Sequence, residues 1–257
     1  MNRGTALLPA IRALARQAGE VVMAIYHSAF TVAIKPDESP VTLADQAAER
    51  LIVEGLRRLA PDIPVVAEED MAAGNQPDIA AGVFWLVDPL DGTKAFIRRN
   101  GEFTINIALI ENGQPTLGVV YAPALERLYA AAGPGTAMVE QSGTKRPLCV
   151  RPPPAGGMVV VASHMHGNPA LLEAFLQTRQ VQAVIHASSA LKLCLVAAGE
   201  ADLYPRFGRT MEWDTAAGHA ILEAAGGCVC TTNSEALRYG KPGFDNPHFI
   251  ACGALSC

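Results

Sequence analysis

The chain has 257 residues, half of them hydrophobic and only 18% charged, with a formal net charge of −5. That much apolar material suffices for one large core or two adjoining ones and excludes global disorder. The acidic balance offers no basic stripe to neutralise a phosphate backbone, so polymeric nucleic acid is excluded as a partner.

The first half predicts two amphipathic helices, Thr5 to Ser28 and Leu43 to Leu59, joined through Thr31–Lys35 and a turn-rich Pro36–Pro40 that is a candidate mobile loop. Thr42 is placed to cap the second helix, and Asp45 lies in its first turn, where the helix dipole favours an acid whatever its further role. Ile63–Ala67 reads as a short strand that ends in the acids Glu68, Glu69 and Asp70. Val83–Val87 reads as a buried strand that should stop at Pro89, which cannot donate to a ladder. Beyond it, Asp88, Asp91, Gly92 and Thr93 crowd a tight turn where a strand gives way to a helix. Two carboxylates three residues apart can converge on a hard cation, and the Gly92 and Thr93 N–H groups would face an anion.

Phe103–Ile110, Thr116–Tyr121 and Arg127–Ala132 predict an antiparallel meander turned at Asn112-Gly113. The glycine- and proline-rich stretch 134–157 predicts a boundary between subdomains 1–150 and 151–257. The second half then alternates strands (Met158–Ala162, Val181–Ile185, Ala201–Tyr204) with helices (Asn168–Thr178, Ser189–Ala198, Thr215–Ala225), an α/β order. Asp214, just before the last of these helices, would cap it or bind metal. His219, on that helix, is expected to be a buried, hydrogen-bonded side chain rather than a site residue.

Six cysteines, without paired Cys-x-x-Cys spacing, are expected to be reduced thiols; Cys228 and Cys230 alternate on one strand without suggesting a zinc site. No signal-like segment opens the chain and no apolar run approaches about 18 residues. The expectation is a cytoplasmic protein with no integral membrane segment and no obligate protein partner.

Glu68-Glu69, the run Asp88-Pro-Leu-Asp-Gly-Thr93, and Trp213-Asp214 followed by Ala216-Ala-Gly218 stand in the order and at the separations of one family. In these motifs the chain closely resembles the inositol monophosphatase superfamily of magnesium-dependent, lithium-sensitive phosphatases. Lys94 after Asp-Gly-Thr, the run Asn100–Ala108 and Tyr204-Pro-Arg-Phe-Gly208 resemble its CysQ-type 3′(2′),5′-bisphosphate nucleotidases. The resemblance implies a layered α-β-α-β-α sandwich, of the α/β or α+β class. It also implies removal of the 3′-phosphate from adenosine 3′,5′-bisphosphate, and from 3′-phosphoadenylyl sulfate, to give AMP and phosphate. An inositol monophosphatase or sugar phosphatase would share the same metal site and is the alternative.

The resemblance further assigns Glu68, Asp88, the Leu90 carbonyl, Asp91 and Asp214 to two or three magnesium ions, a pair of which lies about 4 Å apart. It pairs Asp45 with Thr93 to orient and deprotonate the attacking water, with Glu68 contributing to catalysis. Substrate would be held by Glu68, Leu90, Asp91, Gly92, Thr93, Lys192 and Asp214. Glu69 could hold a further ion through water, and for Glu69 and Asp70 alike a supporting role behind the ligands and plain solvation are equally compatible. Lys94, Arg206 and Arg209 are further cations beside the motifs. Four positions depart from the nucleotidase pattern: Ala95 stands for glutamate, Ser188 and Ala190 make Ser-Ser-Ala of Gly-Ser-Ser, and His164 stands for arginine. None is a metal ligand.

Overall fold

The computed structural model describes residues 3–34, 40–164 and 167–254. The 36–40 turn expected to be a mobile loop falls, Pro40 aside, outside the described residues, as does Cys257.

Helix α1 (Arg3–Tyr26) leads through the short pair β1 (Val32–Ile34) and β2 (Pro40–Thr42) into α2 (Leu43–Leu59). Strand β3 (Val65–Ala67), helix α3 (Glu68–Ala72), strand β4 (Val83–Asp91) and helix α4 (Thr93–Ile97) follow. Then come β5 (Thr104–Glu111), β6 (Gln114–Ala122), β7 (Arg127–Ala131), β8 (Met138–Gln141) and β9 (Thr144–Pro147). The remainder is β10 (Met158–Ser163), α5 (Pro169–Leu176), β11 (Val181–Ala187), α6 (Leu191–Ala197), β12 (Leu203–Arg206), α7 (Glu212–Ala224), β13 (Cys228–Thr231) and β14 (Phe249–Cys252).

The strands form a seven-stranded sheet in the order β3-β4-β5-β6-β7-β8-β9, antiparallel except for the β3–β4 pair, and a five-stranded sheet in the order β11-β10-β12-β14-β13. Strand β4 is apolar on both faces because both are covered. Trp85 and Val87 point into a core shared with Ile11, Leu14 and Ile52 of α1 and α2, while Phe84 and Leu86 point into a second core with Trp213, Ala217 and Ile221 of α7. Helices α6 and α7 are thus sandwiched between the sheets, and α5 closes the outer face of the five-stranded sheet through Phe175 and Leu176 against Val160 and Leu203. The result is the expected α-β-α-β-α layering. Close approach of α7 to β6 depends on Gly118, where a Cβ would lie 2.2 Å from the Ala217 carbonyl oxygen.

Several sequence expectations need correction. Strand β4 does not stop at Pro89 but continues to Asp91, because the register slips between Asp88 and Asp91 and the proline sits where no ladder N–H is required. Stretch 134–157, read as linker from its composition, holds the β8–β9 hairpin turned by Ser142 and Gly143 at φ 47° and 78°. The first helix ends at Tyr26, and the last begins at Glu212, so Asp214 lies inside the first turn of α7 rather than before it. Cys228 is disulfide-bonded, contrary to the expectation of six reduced thiols, whereas Cys149, Cys194, Cys230 and Cys252 are free. No helix among the described residues is long and apolar enough to cross a membrane.

Candidate active site

The end of β4 and the N-terminal turns of α3, α4, α6 and α7 meet at one cavity of about 580 Å³, and the first turn of α2 touches its wall through the Asp45 contact to Thr93. It is lined by Glu68, Asp91, Gly92, Thr93, Lys192 and Asp214, among others. Of the residues assigned from sequence to the site, Asp45, Asp88 and Leu90 are not on its wall, and Lys192, Tyr204, Arg206 and Asp214 reach it from beyond residue 150.

The second-helix cap forms as expected. Thr42 caps α2 through its hydroxyl, and its own N–H and hydroxyl donate to Asp45 Oδ2 at 2.7 and 2.8 Å. Asp45 Oδ1 is left to receive the Thr93 hydroxyl at 3.2 Å, with the Leu90 carbonyl oxygen at 3.3 Å from the same hydroxyl. The pairing of Asp45 with Thr93 is therefore present. Burial raises the Asp45 carboxyl above its ordinary range, with the Thr42 bonds opposing and the Glu68 charge adding to the shift.

Asp88 is 1% exposed, and its Oδ1 accepts the Leu90 N–H at 3.0 Å, which folds the Pro89 turn back on itself. Asp91 Oδ2 accepts the Ala190 N–H at 2.7 Å and the Asn106 amide at 3.3 Å. Ala190 thus contributes backbone alone, so its departure from serine costs Asp91 nothing. Asp214 Oδ2 accepts the Met211 N–H at 2.8 Å, so it caps α7 and also faces the cavity. Glu212 steadies that turn from below, fully buried and accepting the Gly240 and Lys241 N–H groups at 2.7 and 2.9 Å.

These acids are close enough to oppose one another's ionisation. Burial first, and then the charges of Glu68, Asp91 and Asp214, push the Asp88 carboxyl well up; burial, Asp91 and Glu68 push Asp214 up to about 8. Asp91 is also raised by burial, against the pull of Lys192. Lys192 is 5% exposed, donates to the Ser189 carbonyl at 2.6 Å, and is lowered to about 8 by burial despite Asp91. Among the described residues no three acids, thiols or imidazoles close into a finished cage for one ion. The carboxylates ring the cavity and sense one another through charge. Four carboxylates, Asp88 buried and Glu68, Asp91 and Asp214 partly so, make an all-oxygen donor set that fits a hard divalent ion, which would remove the repulsion that raises Asp88, Asp91 and Asp214.

Gly92 turns the chain from β4 into α4 at φ 93°, and a Cβ there would meet Ser189 Oγ at 2.3 Å and the Glu102 carbonyl at 3.2 Å. Gly92→Ala is expected to cost about 1–2 kcal/mol from the left-handed backbone alone, and to lower activity further by displacing Ser189. Urea unfolding checks it: Gly92→Ala/Ser189→Ala should relieve the clash with the Ser189 hydroxyl and leave the backbone part and the Glu102 contact.

Sequence reasoning missed Glu49, Glu102, Thr104 and Asn106 as parts of this site. Glu102 accepts the Ser188 N–H at 3.1 Å and stands 3.3 Å from His164 Nε2. Its only signal in sequence is membership of the run 100–108. His219 is as expected: 1% exposed and 2.8 Å from the Tyr239 hydroxyl, it belongs to the core.

The family model described as the inositol monophosphatase family matches residues 5–251. Salmonella typhimurium 3′(2′),5′-bisphosphate nucleotidase CysQ is 50% identical to the chain over 95% of it and 98% of that protein; the Escherichia coli K12 CysQ is 47% identical over the same shares. Among solved structures, CysQ from Bacteroides thetaiotaomicron superposes with a TM-score of 0.80 at 36% identity, over 96% of this chain and 97% of that one. With the family's motifs spread over both halves and gathered at a single acid-lined cavity, the chain belongs to the inositol monophosphatase family.

Proposed function

We propose that the protein is a magnesium-dependent 3′(2′),5′-bisphosphate nucleotidase. It removes the 3′-phosphate of adenosine 3′,5′-bisphosphate, and of 3′-phosphoadenylyl sulfate, by direct attack of water without a covalent phosphoenzyme. The observation that carries the reading is the meeting of Glu68, Asp91 and Asp214 with Lys192 in one cavity beside the Asp45–Thr93 pair, in a chain half identical to a protein of that name.

Glu68, Asp88, the Leu90 carbonyl, Asp91 and Asp214 would hold two or three magnesium ions. When bound, these would acidify water and neutralise phosphate charge. The Thr93 hydroxyl donates a hydrogen bond to Asp45 Oδ1, which leaves its oxygen lone pairs to accept a hydrogen bond from a water in the cavity. As that water loses a proton to the Thr93 oxygen, Thr93 passes its own proton to Asp45, whose other oxygen is tied to Thr42. The Gly92 and Thr93 N–H groups at the start of α4 hold phosphate oxygens, and Asp214 steers the water that protonates the departing 3′-oxygen. Lys192 and Arg206, both buried at the cavity wall, supply the fixed positive charge that a second phosphate requires in an acidic protein.

The product identifies the reaction. From adenosine 3′,5′-bisphosphate the expected products are phosphate and adenosine 5′-phosphate, resolved by chromatography; accumulation of adenosine 3′-phosphate instead would overturn the assignment. Lys192→Met should raise KM for the bisphosphate more than it lowers kcat, since the cation it deletes faces bound substrate throughout turnover.

A further inference from the structure

Helix α3 presents Glu68 to the cavity, yet little in α3 itself holds it in place. It has five residues, too few to be stable alone, and none of them is fully buried. Its N-cap residue is Ala67, whose side chain can accept nothing from the first-turn N–H groups. Those groups are met from elsewhere. The Glu69 N–H donates to Glu49 Oε2 at 2.7 Å and the Asp70 N–H to Glu49 Oε1 at 2.8 Å, so a single carboxylate twenty residues away caps the turn with both oxygens.

Glu49 is only 6% exposed and sits on α2 one turn after Asp45, which is 2% exposed. Residues four apart lie on one face of a helix, so α2 presents both acids to the site side by side. The helix is anchored through Ile52, Val53 and Leu56, all buried in the core beneath the seven-stranded sheet. A neutral cap at position 67 would satisfy α3 locally. Instead the Glu49 carboxyl is buried beside Glu69 and Asp70, whose charges oppose its ionisation, and its two hydrogen bonds tie α3 to the element that also carries Asp45.

We propose that Glu49 is a positioning residue: it locks the first turn of α3 to α2, and so fixes the Glu68 carboxylate against the Asp45–Thr93 pair and the other acids of the cavity. The inference rests on the reading of Glu68 as a magnesium ligand given above. It assigns Glu49 no contact with substrate or with the reacting atoms.

The test is the magnesium concentration that half-saturates the rise in melting temperature, which needs no substrate. Glu49→Ala should raise that concentration by ~10-fold or more, the usual cost of deleting a group that orients a metal ligand. Glu49→Gln, which keeps one of the two accepting oxygens, should fall between Glu49→Ala and the native protein, and decides the matter alone if the alanine variant does not fold. Ile52→Val, a core truncation on the same helix, should lower the melting temperature and leave the magnesium midpoint unchanged. Native midpoints in the Glu49 variants, or an Ile52→Val shift as large as theirs, would overturn the inference. Glu68→Gln separates the two levels: a midpoint shifted by Glu68→Gln but not by the Glu49 variants refutes the inference alone, whereas a midpoint unmoved by Glu68→Gln refutes the metal assignment beneath it.

Discussion

Asp91→Asn is expected to lower phosphate release by ~10³-fold or more, at least the cost of deleting one preorganised charge-stabilising group from an active site, while the fold stays intact. The asparagine carbonyl can keep the 2.7 Å bond from the Ala190 N–H, so the link between β4 and the start of α6 survives. What is lost is a charged oxygen donor at the centre of the acid ring. A second observable separates this from unfolding. Because Asp91 adds to the repulsion felt by Asp88 and Asp214, the metal-free variant should melt above the metal-free native protein at neutral pH. Kinetics and thermal unfolding of the same sample check both, and a variant with native activity would refute the metal assignment.

The second large effect is a pH-dependent gain in stability on adding magnesium. Asp88 and Asp91 are raised above the ordinary range and Asp214 reaches about 8, in each case through burial first. The unfolded chain releases these protons near pH 4, so the metal-free fold binds more protons than the unfolded state between roughly pH 4 and 8. Its stability therefore falls as pH rises through that window. A divalent cation competes with the same protons, so its affinity climbs with pH. At about a hundredfold excess over Kd, magnesium adds about 2.7 kcal/mol, which is a rise of roughly 5–10 °C in Tm for a chain of this size. Scanning calorimetry near pH 6 and near pH 8 should show the rise mainly at the higher value. Equal gains at both would mean that the ion binds away from these carboxylates.

The parts of the site that use local chemistry are legible in the chain. Thr42 and Asp45 follow the spacing of a capping turn, and Asp88, Asp91 and Gly92 crowd a strand end, so the amino-acid order alone places both segments. Glu49 is not legible, because its partners are backbone N–H groups of Glu69 and Asp70 and no side-chain pattern records such a bond. Its one trace is a second acid, four residues after Asp45, on the buried face of α2. Asn106 escapes for a related reason: its amide meets Asp91 only after β5 pairs with β4 in register. Pro89 misleads because a proline normally ends a paired strand, and here a slip in register removes the demand for its N–H. The β8–β9 hairpin is hidden by composition, its Ser142-Gly143 turn lying among glycines and prolines that read as linker.

The most direct test is phosphate release from adenosine 3′,5′-bisphosphate and from inositol 1-phosphate, measured side by side with magnesium and again with a chelator. The expected result is a much higher kcat/KM for the nucleotide that vanishes on chelation. Preference for the inositol ester, or activity that survives the chelator, would contradict the assignment of this cavity as a metal-dependent bisphosphate nucleotidase site.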